Sequence, residues 1–574
     1  MSVSSRPPAR LGASPVAALI VALGPLLWLW FAVWRASYLA LGRDQGIFQG
    51  VAWAIAHGDR LYSDLREING PLASEIHMMA RLFGGADSHV LRSFDLTVSA
   101  LVFAFVGASV HAATSRAPSR IRAALWAAAG CSVLLAQYVS FYSYWDFTQR
   151  ESFYDWFILS ALACDVRARS SGSGPAARRW LLAAGALSIT PWFGKPTCAV
   201  FTLVHVLMIV LSEPGVALSR RKQLRAFVTG IGLGALPQLV FLAAFCSVSD
   251  FLRSYLIDNP RYYVYIWPKG LLQIVATESH AGFFPLPIAL ALATLGLIAV
   301  GSVSRRMIGM ALFPVLGIAL DLLQNKAFPY HLHPVTAGCA LLAVVLVCQV
   351  ASSADEADAT DLRGLAPLAI GLACLVAYQT AHGLIESDSL RADWAPRAGS
   401  NAKRRLSPVF LAHFDRADFG ATGLANTAEF LKRYTRPKER IQTYGMDPYL
   451  LALAERHSAT PYIYDIDLNA DSVLEGIQVL GASPKALTFA KNNVKRHADD
   501  LAARVRHSPP AAFVFFDYAP FTFPRSGFAD FAAHAADAAR FVTERYVYAK
   551  GFGQLQIFMR RDLWPARQKW PAAR

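Results

Sequence analysis

The stretch of sequence richest in chemically useful side chains lies between residues 41 and 84, directly after the first long apolar run. It reads Leu41-Gly-Arg-Asp-Gln-Gly46, then Gly58-Asp-Arg-Leu-Tyr-Ser-Asp64, Gly70-Pro-Leu72 and Leu82-Phe-Gly84. Asp44 places a carboxylate at the membrane face, where it can meet the headgroup of a lipid-linked substrate. The alternative is that Asp44 caps the following helix through backbone N–H groups. The sequence leaves both interpretations open.

Five basic or imidazole side chains could bind an anionic headgroup. They lie at the same predicted face of the membrane, in loops that join different apolar runs: Arg150, Lys195, Lys326, His331 and His333. The planar fork of arginine and the point charge of lysine both suit phosphate. The alternative is that each is a snorkelling residue at the membrane interface. His331-x-His333 lacks acidic or thiol company, so the pair is not a zinc signature. The sequence indicates no cofactor and leaves dependence on a divalent metal open.

The elements that must position these residues are apolar runs of membrane-spanning length. The chain has 574 residues, of which 54% are apolar and 17% charged, and its mean hydropathy is +0.33. Soluble domains average about 25% charged residues, so an ordinary soluble enzyme is excluded. Because a bilayer core needs about 20 apolar residues per helix, we predict about eleven spans. They are residues 14–34, 94–112, 121–139, 151–166, 180–190, 197–212, 224–246, 282–301, 306–323, 332–350 and 364–382.

The net charge of +15 follows the positive-inside rule and indicates no nucleic-acid partner. With a cytoplasmic N-terminus, the inside loops hold most of the arginines, whereas the short opposite loops hold only Arg150, Lys195 and Lys326. The first apolar run lacks a small-residue cleavage site and is predicted to be a retained span. An odd number of spans places the C-terminal residues outside the cytoplasm.

The predicted organisation is an α-helical polytopic membrane domain, residues 1–383, followed by a small extracytoplasmic α/β domain, residues 384–574. Within the first loop, residues 35–93, helical spacing of apolar residues predicts two helices lying along the membrane surface. In the tail, strands and helices alternate, which indicates a parallel or mixed sheet. The predicted strands are Ile441–Tyr444, Ala512–Phe516 and a hairpin of Tyr546–Lys550 with Gln554–Met559, and the main helices are Asp447–Arg456, Ser483–Val505 and Ala529–Phe541.

Two signatures are absent from the sequence. It contains no glycine-rich phosphate loop, so nucleotide binding is not indicated. All seven cysteines lie in or beside apolar segments, which argues against a disulfide-stapled external domain.

The first loop resembles that of the GT-C membrane glycosyltransferases, a group that includes aminoarabinose transferases, protein O-mannosyltransferases and lipid A galacturonosyltransferases. The shared pattern is Asp-x-Gly, then Gly-x-x-x-Tyr-x-Asp, then Pro-Leu and Leu-Phe-Gly. Phe147-Thr-Gln-Arg-Glu151 and Lys326-Ala-Phe-Pro-Tyr-His331 resemble further blocks of bacterial members. The resemblance covers mainly residues 35–335.

The resemblance implies a hexosyl- or pentosyltransferase in the bacterial inner membrane. Such an enzyme moves a sugar from a polyprenyl-phosphate donor to an extracytoplasmic acceptor, with inversion at the anomeric carbon. The acceptor would be lipid A or lipopolysaccharide, another envelope glycan, or a protein. Asp44 matches the catalytic carboxylate of the group and would take the proton of the attacking hydroxyl. The leaving phosphate needs cations rather than a strong acid.

The sequence departs from the pattern of the group in two places. Gln45 stands where many relatives have a second acid, and Asn69-Gly-Pro71 replaces the usual Lys-Pro-Pro. A metal-binding acid pair is therefore in doubt, and one candidate phosphate contact is missing. Asp64, Glu67 or Asp146 could supply a second carboxylate, and the sequence does not choose among them.

Two other classes of function share the hydropathy of this chain. One is a non-catalytic flippase or transport protein for polysaccharide or lipid. The other is an oligosaccharide ligase or polymerase that uses a diphosphate-linked donor. A flippase should tolerate Asp44→Asn, whereas an enzyme should not.

Overall fold

A computed structural model describes residues 15–39, 41–85, 87–115, 120–141, 146–211, 217–276, 284–354, 421–517 and 526–567. The predicted span at residues 364–382 and the predicted domain boundary at residues 383 and 384 lie outside the described residues. The other ten predicted spans coincide with helices or parts of helices.

The first part of the chain is helical throughout its regular structure. Its helices are α1 Pro15–Ala36, α2 Arg43–Ala56, α3 Pro71–Arg81, α4 Ser88–Thr114, α5 Arg120–Phe141, α6 Arg150–Ser170, α7 Gly174–Ile189, α8 Ala199–Val210, α9 Arg220–Phe245, α10 Val248–Arg253, α11 Asn259–Arg261, α12 Leu271–Ala276, α13 Pro285–Ala299, α14 Ile308–Gln324 and α15 His333–Ala354. Short 3₁₀ turns precede α8, α14 and α15, and one π-helical turn, Ser254–Asp258, follows α10.

Within the described residues, five helical segments are long and apolar enough to cross a membrane. They are Ser88–Thr114, Arg120–Ser140, Arg220–Phe245, Arg305–Gln324 and Pro329–Ser352. Three shorter apolar helices, Leu26–Ala36, Pro196–Val210 and Pro285–Ala299, accompany them. Helices of this length and composition mark the chain as a membrane protein. Helix α6, which carries charged residues along its length, and the 16-residue α7 are not among these segments.

Small residues set the closest helix contacts, as they do in membrane bundles generally. Helices α4 and α5 pack against each other at Gly107 and Gly130. A Cβ atom at Gly107 would lie 2.1 Å from the carbonyl oxygen of Trp126. Because no side chain fits there, the backbones of the two helices approach closely.

The C-terminal domain contains a mixed four-stranded sheet. Its elements are α16 Ala421–Tyr434, β1 Ile441–Tyr444, α17 Tyr449–Ala454, α18 Asp471–Val479, α19 Pro484–His507, β2 Ala512–Phe516, α20 Gly527–His534, α21 Ala536–Arg545, β3 Tyr546–Phe552, β4 Leu555–Arg560 and α22 Trp564–Arg567. The strand order is β1-β2-β4-β3, with β1 and β2 parallel and the other pairs antiparallel. The prediction of a helical membrane domain followed by a small α/β domain is confirmed.

One sequence-based expectation about helices is wrong. The predicted helix Ala529–Phe541 is two helices, because the backbone leaves the helical region at Ala535, with φ −131° and ψ 55°. Helix α2, one of the two helices predicted to lie along the membrane surface, is buried over nearly its whole length, because α3 and helix α17 of the C-terminal domain pack against it. Its orientation relative to the membrane stays a prediction.

A single apolar core joins the first loop to the C-terminal domain. It contains residues of α2 and α3, residues between positions 241 and 266, and residues of both the sheet and the helices of the C-terminal domain. Helix α17 packs on α2 where α2 has glycines. A Cβ atom at Gly50 would lie 2.3 Å from the carbonyl oxygen of Pro448, and one at Gly46 would lie 3.1 Å from Cβ of Tyr449. The absence of side chains at these two positions allows the contact.

Candidate active site

Asp44 lies in the first turn of α2, but it is not the capping residue. The helix begins at Arg43, and Gly42 occupies the N-cap position without a side-chain cap bond. The partly buried Asp44 carboxylate instead accepts a hydrogen bond from the hydroxyl of Tyr330. The capping interpretation of Asp44 is therefore wrong, since the cap position belongs to Gly42.

Burial raises the pKa of the Asp44 carboxyl above its usual value. The charges of Arg150 and Arg43 and the Tyr330 hydrogen bond act in the opposite direction, and the neighbouring Glu151 carboxylate adds to the rise. Because desolvation is the largest of these influences, the net direction is upward. A carboxylate with a raised pKa is a stronger base than an exposed one.

Glu151 is the centre of the cation cluster, which we define as the charged side chains of Arg150 and Lys195 together with the imidazole of His331. Its Oε1 lies 3.1 Å from Nε of Arg150, 2.8 Å from Nζ of Lys195 and 3.9 Å from Nε2 of His331. The Glu151 side chain is 1% exposed. Sequence reasoning placed Glu151 in a motif but gave it no role, because its partners come from other helices and loops.

Arg150 connects the cluster to the first loop and to Tyr330. Its Nη1 donates a hydrogen bond to Oδ1 of Asn69, and its guanidinium carbon lies 5.8 Å from the centre of the Tyr330 ring. The residue after Asn69, Gly70, has no room for a side chain, because a Cβ atom would lie 2.0 Å from the Tyr255 hydroxyl.

The remaining predicted cations have different surroundings. Lys195 also donates to the Gln324 side chain, and burial lowers its pKa. Lys326 donates to the backbone carbonyls of Val264 and Ile266, and burial together with the charge of Lys195 lowers the Lys326 pKa to about 7. The structure thus places Lys195 in the cluster, whereas the bonds described for Lys326 are to backbone.

The two predicted histidines are both buried but have separate partners. His331 lies between Glu151 and Asp321, with Nδ1 3.6 Å from Oδ1 of Asp321. The Nε2 of His333 lies 2.8 Å from the backbone carbonyl of Asp146. The structure therefore brings His331 into the cluster and places His333 against the backbone of Asp146.

The three candidates for a second carboxylate differ sharply in exposure and partners. Asp64 is exposed and accepts the backbone N–H of Arg60 at 2.8 Å. Glu67 is buried and accepts bonds from Asn69 and Tyr464. Asp146 is buried beside His333. None of the three appears among the main charges acting on Asp44, whereas Glu151 does.

One group of side chains in the described residues has the spacing of a cation site. Asp471, Asp530 and His534 place ligand atoms within 4.8 Å of one another, in the C-terminal domain. Asp530 is already bound by the Tyr444 hydroxyl at 2.5 Å and by the side-chain amide of Asn469 at 3.0 Å. The group includes no member of the cation cluster.

Comparison with known proteins gives a likeness of fold. No family model matches the sequence, and no curated protein matches it either. Among solved structures, the apo form of ArnT from Cupriavidus metallidurans matches with 14% identity and a TM-score of 0.50, over 95% of this chain and 97% of that one. ArnT is an aminoarabinose transferase of the GT-C superfamily.

Two further solved structures match less closely. ArnT from the same organism bound to undecaprenyl phosphate has 14% identity and a TM-score of 0.44, over 95% of this chain and 98% of that one. The other is the archaeal oligosaccharyltransferase AglB from Archaeoglobus fulgidus, in complex with an inhibitory peptide and a dolichol-phosphate. It has 11% identity and a TM-score of 0.42, over 94% of this chain and 74% of that one. From the match to apo ArnT, the chain has the same fold as that protein.

Proposed function

We propose that this protein is an integral membrane glycosyltransferase that moves a sugar from a polyprenyl-phosphate donor to a hydroxyl group, with Asp44 as the base. The observation that carries the proposal is the arrangement at Asp44. A partly buried carboxylate of raised pKa acts beside Arg150, and Glu151 holds Arg150 together with Lys195. A base next to fixed cations is what this reaction requires. The fold shared with ArnT supports the same class of enzyme.

The reaction is a single displacement at the anomeric carbon. The acceptor oxygen forms a bond to that carbon while the bond to the phosphate oxygen breaks, and the acceptor proton passes to the Asp44 carboxylate. The bonding electrons leave with polyprenyl phosphate. Because the attacking and leaving groups occupy opposite sides, the anomeric configuration inverts.

The cation cluster suits the charge that develops on the leaving phosphate. The bonds described for Arg150 use Nε and Nη1, so further N–H groups of its guanidinium fork can bind phosphate oxygens. Glu151 fixes Arg150 and Lys195 before substrate arrives, which removes the cost of arranging them during the reaction. Lys326 and His333 are proposed as outer contacts of the same headgroup.

Several parts of the proposal come from the family resemblance described above. We place the enzyme in the bacterial inner membrane, with its N-terminus in the cytoplasm and its C-terminal domain outside it. The acceptor is proposed to be lipid A, another envelope glycan or a protein, and the sugar a hexose or pentose. We propose no metal or other cofactor.

Lipids that co-purify with the protein distinguish this function from the alternatives. We compare wild-type protein with Asp44→Asn and with the control Asp64→Asn, which changes an exposed carboxylate on a turn. Mass spectrometry should find spent polyprenyl phosphate on wild type and on the control, and intact sugar-linked lipid on Asp44→Asn. Turnover of that lipid by Asp44→Asn should be lower by about two to four decades.

Other outcomes would contradict the proposal. A diphosphate-linked glycan on Asp44→Asn would indicate a ligase or polymerase. The same lipid on all three proteins, with transport intact in Asp44→Asn, would indicate a flippase.

A further inference from the structure

The C-terminal domain reaches the first loop through one buried hydroxyl group. The Tyr464 hydroxyl donates a 2.6 Å hydrogen bond to Oε2 of Glu67. Both side chains are buried, each belonging to a residue that is 2% exposed. A buried carboxylate oxygen needs such a donor, because water cannot replace it there.

The second oxygen of Glu67 fixes Asn69. Oε1 accepts the backbone N–H groups of Ile68 and Asn69, both at 2.8 Å, and the side-chain amide of Asn69 at 2.7 Å. Because the Asn69 amide nitrogen donates to Glu67, its Oδ1 is directed to Arg150, whose Nη1 donates to it. Hydrogen bonds therefore lead without interruption from Tyr464 to the cation cluster.

Further contacts hold the residues on either side of Glu67, namely Arg66 and Asn69. Arg66 lies 3.0 Å from Oδ1 of Asp467 and 3.0 Å from Oδ2 of Asp258. The Tyr62 hydroxyl donates to the backbone carbonyl of Asn69 at 2.8 Å. Residues 66–69 are thus held between the C-terminal domain and the π-helical turn Ser254–Asp258, so they have little freedom to compensate for a lost bond.

We propose that Tyr464 is a positioning residue, through which the C-terminal domain sets the orientation of the Arg150 guanidinium by way of Glu67 and Asn69. This inference rests on the proposed function, in which Arg150 binds the donor phosphate. Loss of the Tyr464 hydroxyl leaves Oε2 of Glu67 without its donor. The Glu67 carboxylate is then held through Oε1 alone, so it no longer fixes Asn69 in one orientation, and Arg150 loses the partner that orients it.

The test uses full-length protein in nanodiscs, with undecaprenyl phosphate as the probe and undecaprenol as its uncharged counterpart. Tyr464→Phe removes only the hydroxyl. The matched control is Tyr462→Phe, since the Tyr462 hydroxyl donates to Asp500 within the same domain at 2.8 Å. We expect Tyr464→Phe to weaken binding of undecaprenyl phosphate by about three- to tenfold. Tyr462→Phe should leave the affinity within about twofold of wild type.

A mutant cycle separates positioning from a general loss of structure. In the Arg150→Gln background, Tyr464→Phe should have no further effect on affinity, because the residue through which it acts is gone. Asn69→Ala breaks the same connection without touching the C-terminal domain, so it repeats the test if Tyr464→Phe folds poorly. Equal weakening by Tyr464→Phe with and without Arg150 would overturn the inference.

Failure of the two proposals can be told apart. If wild type binds undecaprenyl phosphate no better than undecaprenol, the proposed function is overturned, and this inference with it. If wild type prefers the phosphate and Arg150→Gln removes that preference, while Tyr464→Phe and Asn69→Ala both keep it, only the positioning role is overturned.

Discussion

At the scale of single residues, the Tyr330 hydroxyl adjusts the proton affinity of Asp44. Its hydrogen bond stabilises the ionised carboxylate and so opposes the rise in pKa that burial causes. Tyr330→Phe removes that bond, so the pKa of Asp44 should rise further. Because the base must be deprotonated, the acid limb of the kcat–pH profile should move to higher pH. The measurement is kcat as a function of pH on the acid side of the profile, with Tyr462→Phe as the control. An unmoved acid limb in Tyr330→Phe would mean that Asp44 is not the titrating base.

Glu151 was not predicted as a site residue, and the reason is physical. Arg150 and Glu151 are neighbours in the sequence. The role of Glu151, however, depends on its contacts with Lys195 and His331, which follow it by 44 and 180 positions. The capping alternative for Asp44 failed in a similar way, because only the observed start of α2 assigns the cap to Gly42. Residue types were predictable here, whereas their partners were not.

Glu151→Gln should destabilise the protein by about 3 kcal/mol, because it leaves buried cations without their counter-charge. An anion bound in place of the missing carboxylate charge should restore part of the lost stability. We therefore expect undecaprenyl phosphate to raise the Tm of Glu151→Gln more than that of wild type, as measured by thermal unfolding of the full chain. Glu75→Gln, whose carboxylate bonds the Gln238 side chain, is the control. If undecaprenyl phosphate raised the Tm of all three proteins equally, Glu151 would not act at the site that binds the phosphate.

At the scale of elements, strands were easier to predict than the surroundings of helices. Strands β1 and β2 match the predicted ranges. Strand β2 is a short apolar run next to turn residues, which is the pattern of a buried strand. The helical character of α2 was also predictable from its spacing. Its burial was not, since the covering helix α17 begins some 400 positions later.

Gly50→Ala tests the contact between α2 and α17. The added methyl group would meet backbone atoms of Pro448, which cannot move away as a flexible side chain can. We expect a loss of about 1–3 kcal/mol in stability, as for other overpacked sites. Chemical unfolding of the full chain measures it. Gly232→Ala is the control, because no atom lies within 4 Å of a Cβ at that position in α9. Equal stability of the two variants would contradict the close packing of α17 on α2.

At the scale of the whole molecule, the first loop and the C-terminal domain form one structural unit through their shared core. Asp467 is a buried link in that unit, bound to Arg66 at 3.0 Å and to the Tyr263 hydroxyl at 2.8 Å. Asp467→Asn removes the charge and should cost about 3–5 kcal/mol. Hydrogen exchange should then show residues 43–81 and 441–560 losing protection together. Asp499→Asn, which changes an exposed pair with Lys495, should leave both regions protected. Separate loss of protection in the two regions would contradict a common unit.

The distance along the chain between these partners also shapes how the protein is made. Arg43 bonds a residue 404 positions later, and Arg66 one 401 positions later. At about 5–20 residues per second, the ribosome needs roughly 20–80 s to complete the second partner after the first has left it. During that interval the part of the α2 surface that α17 covers is exposed and open to chaperones and proteases. A chain that stops short of the C-terminal domain keeps that surface bare, so quality control can recognise an unfinished molecule by its first loop alone.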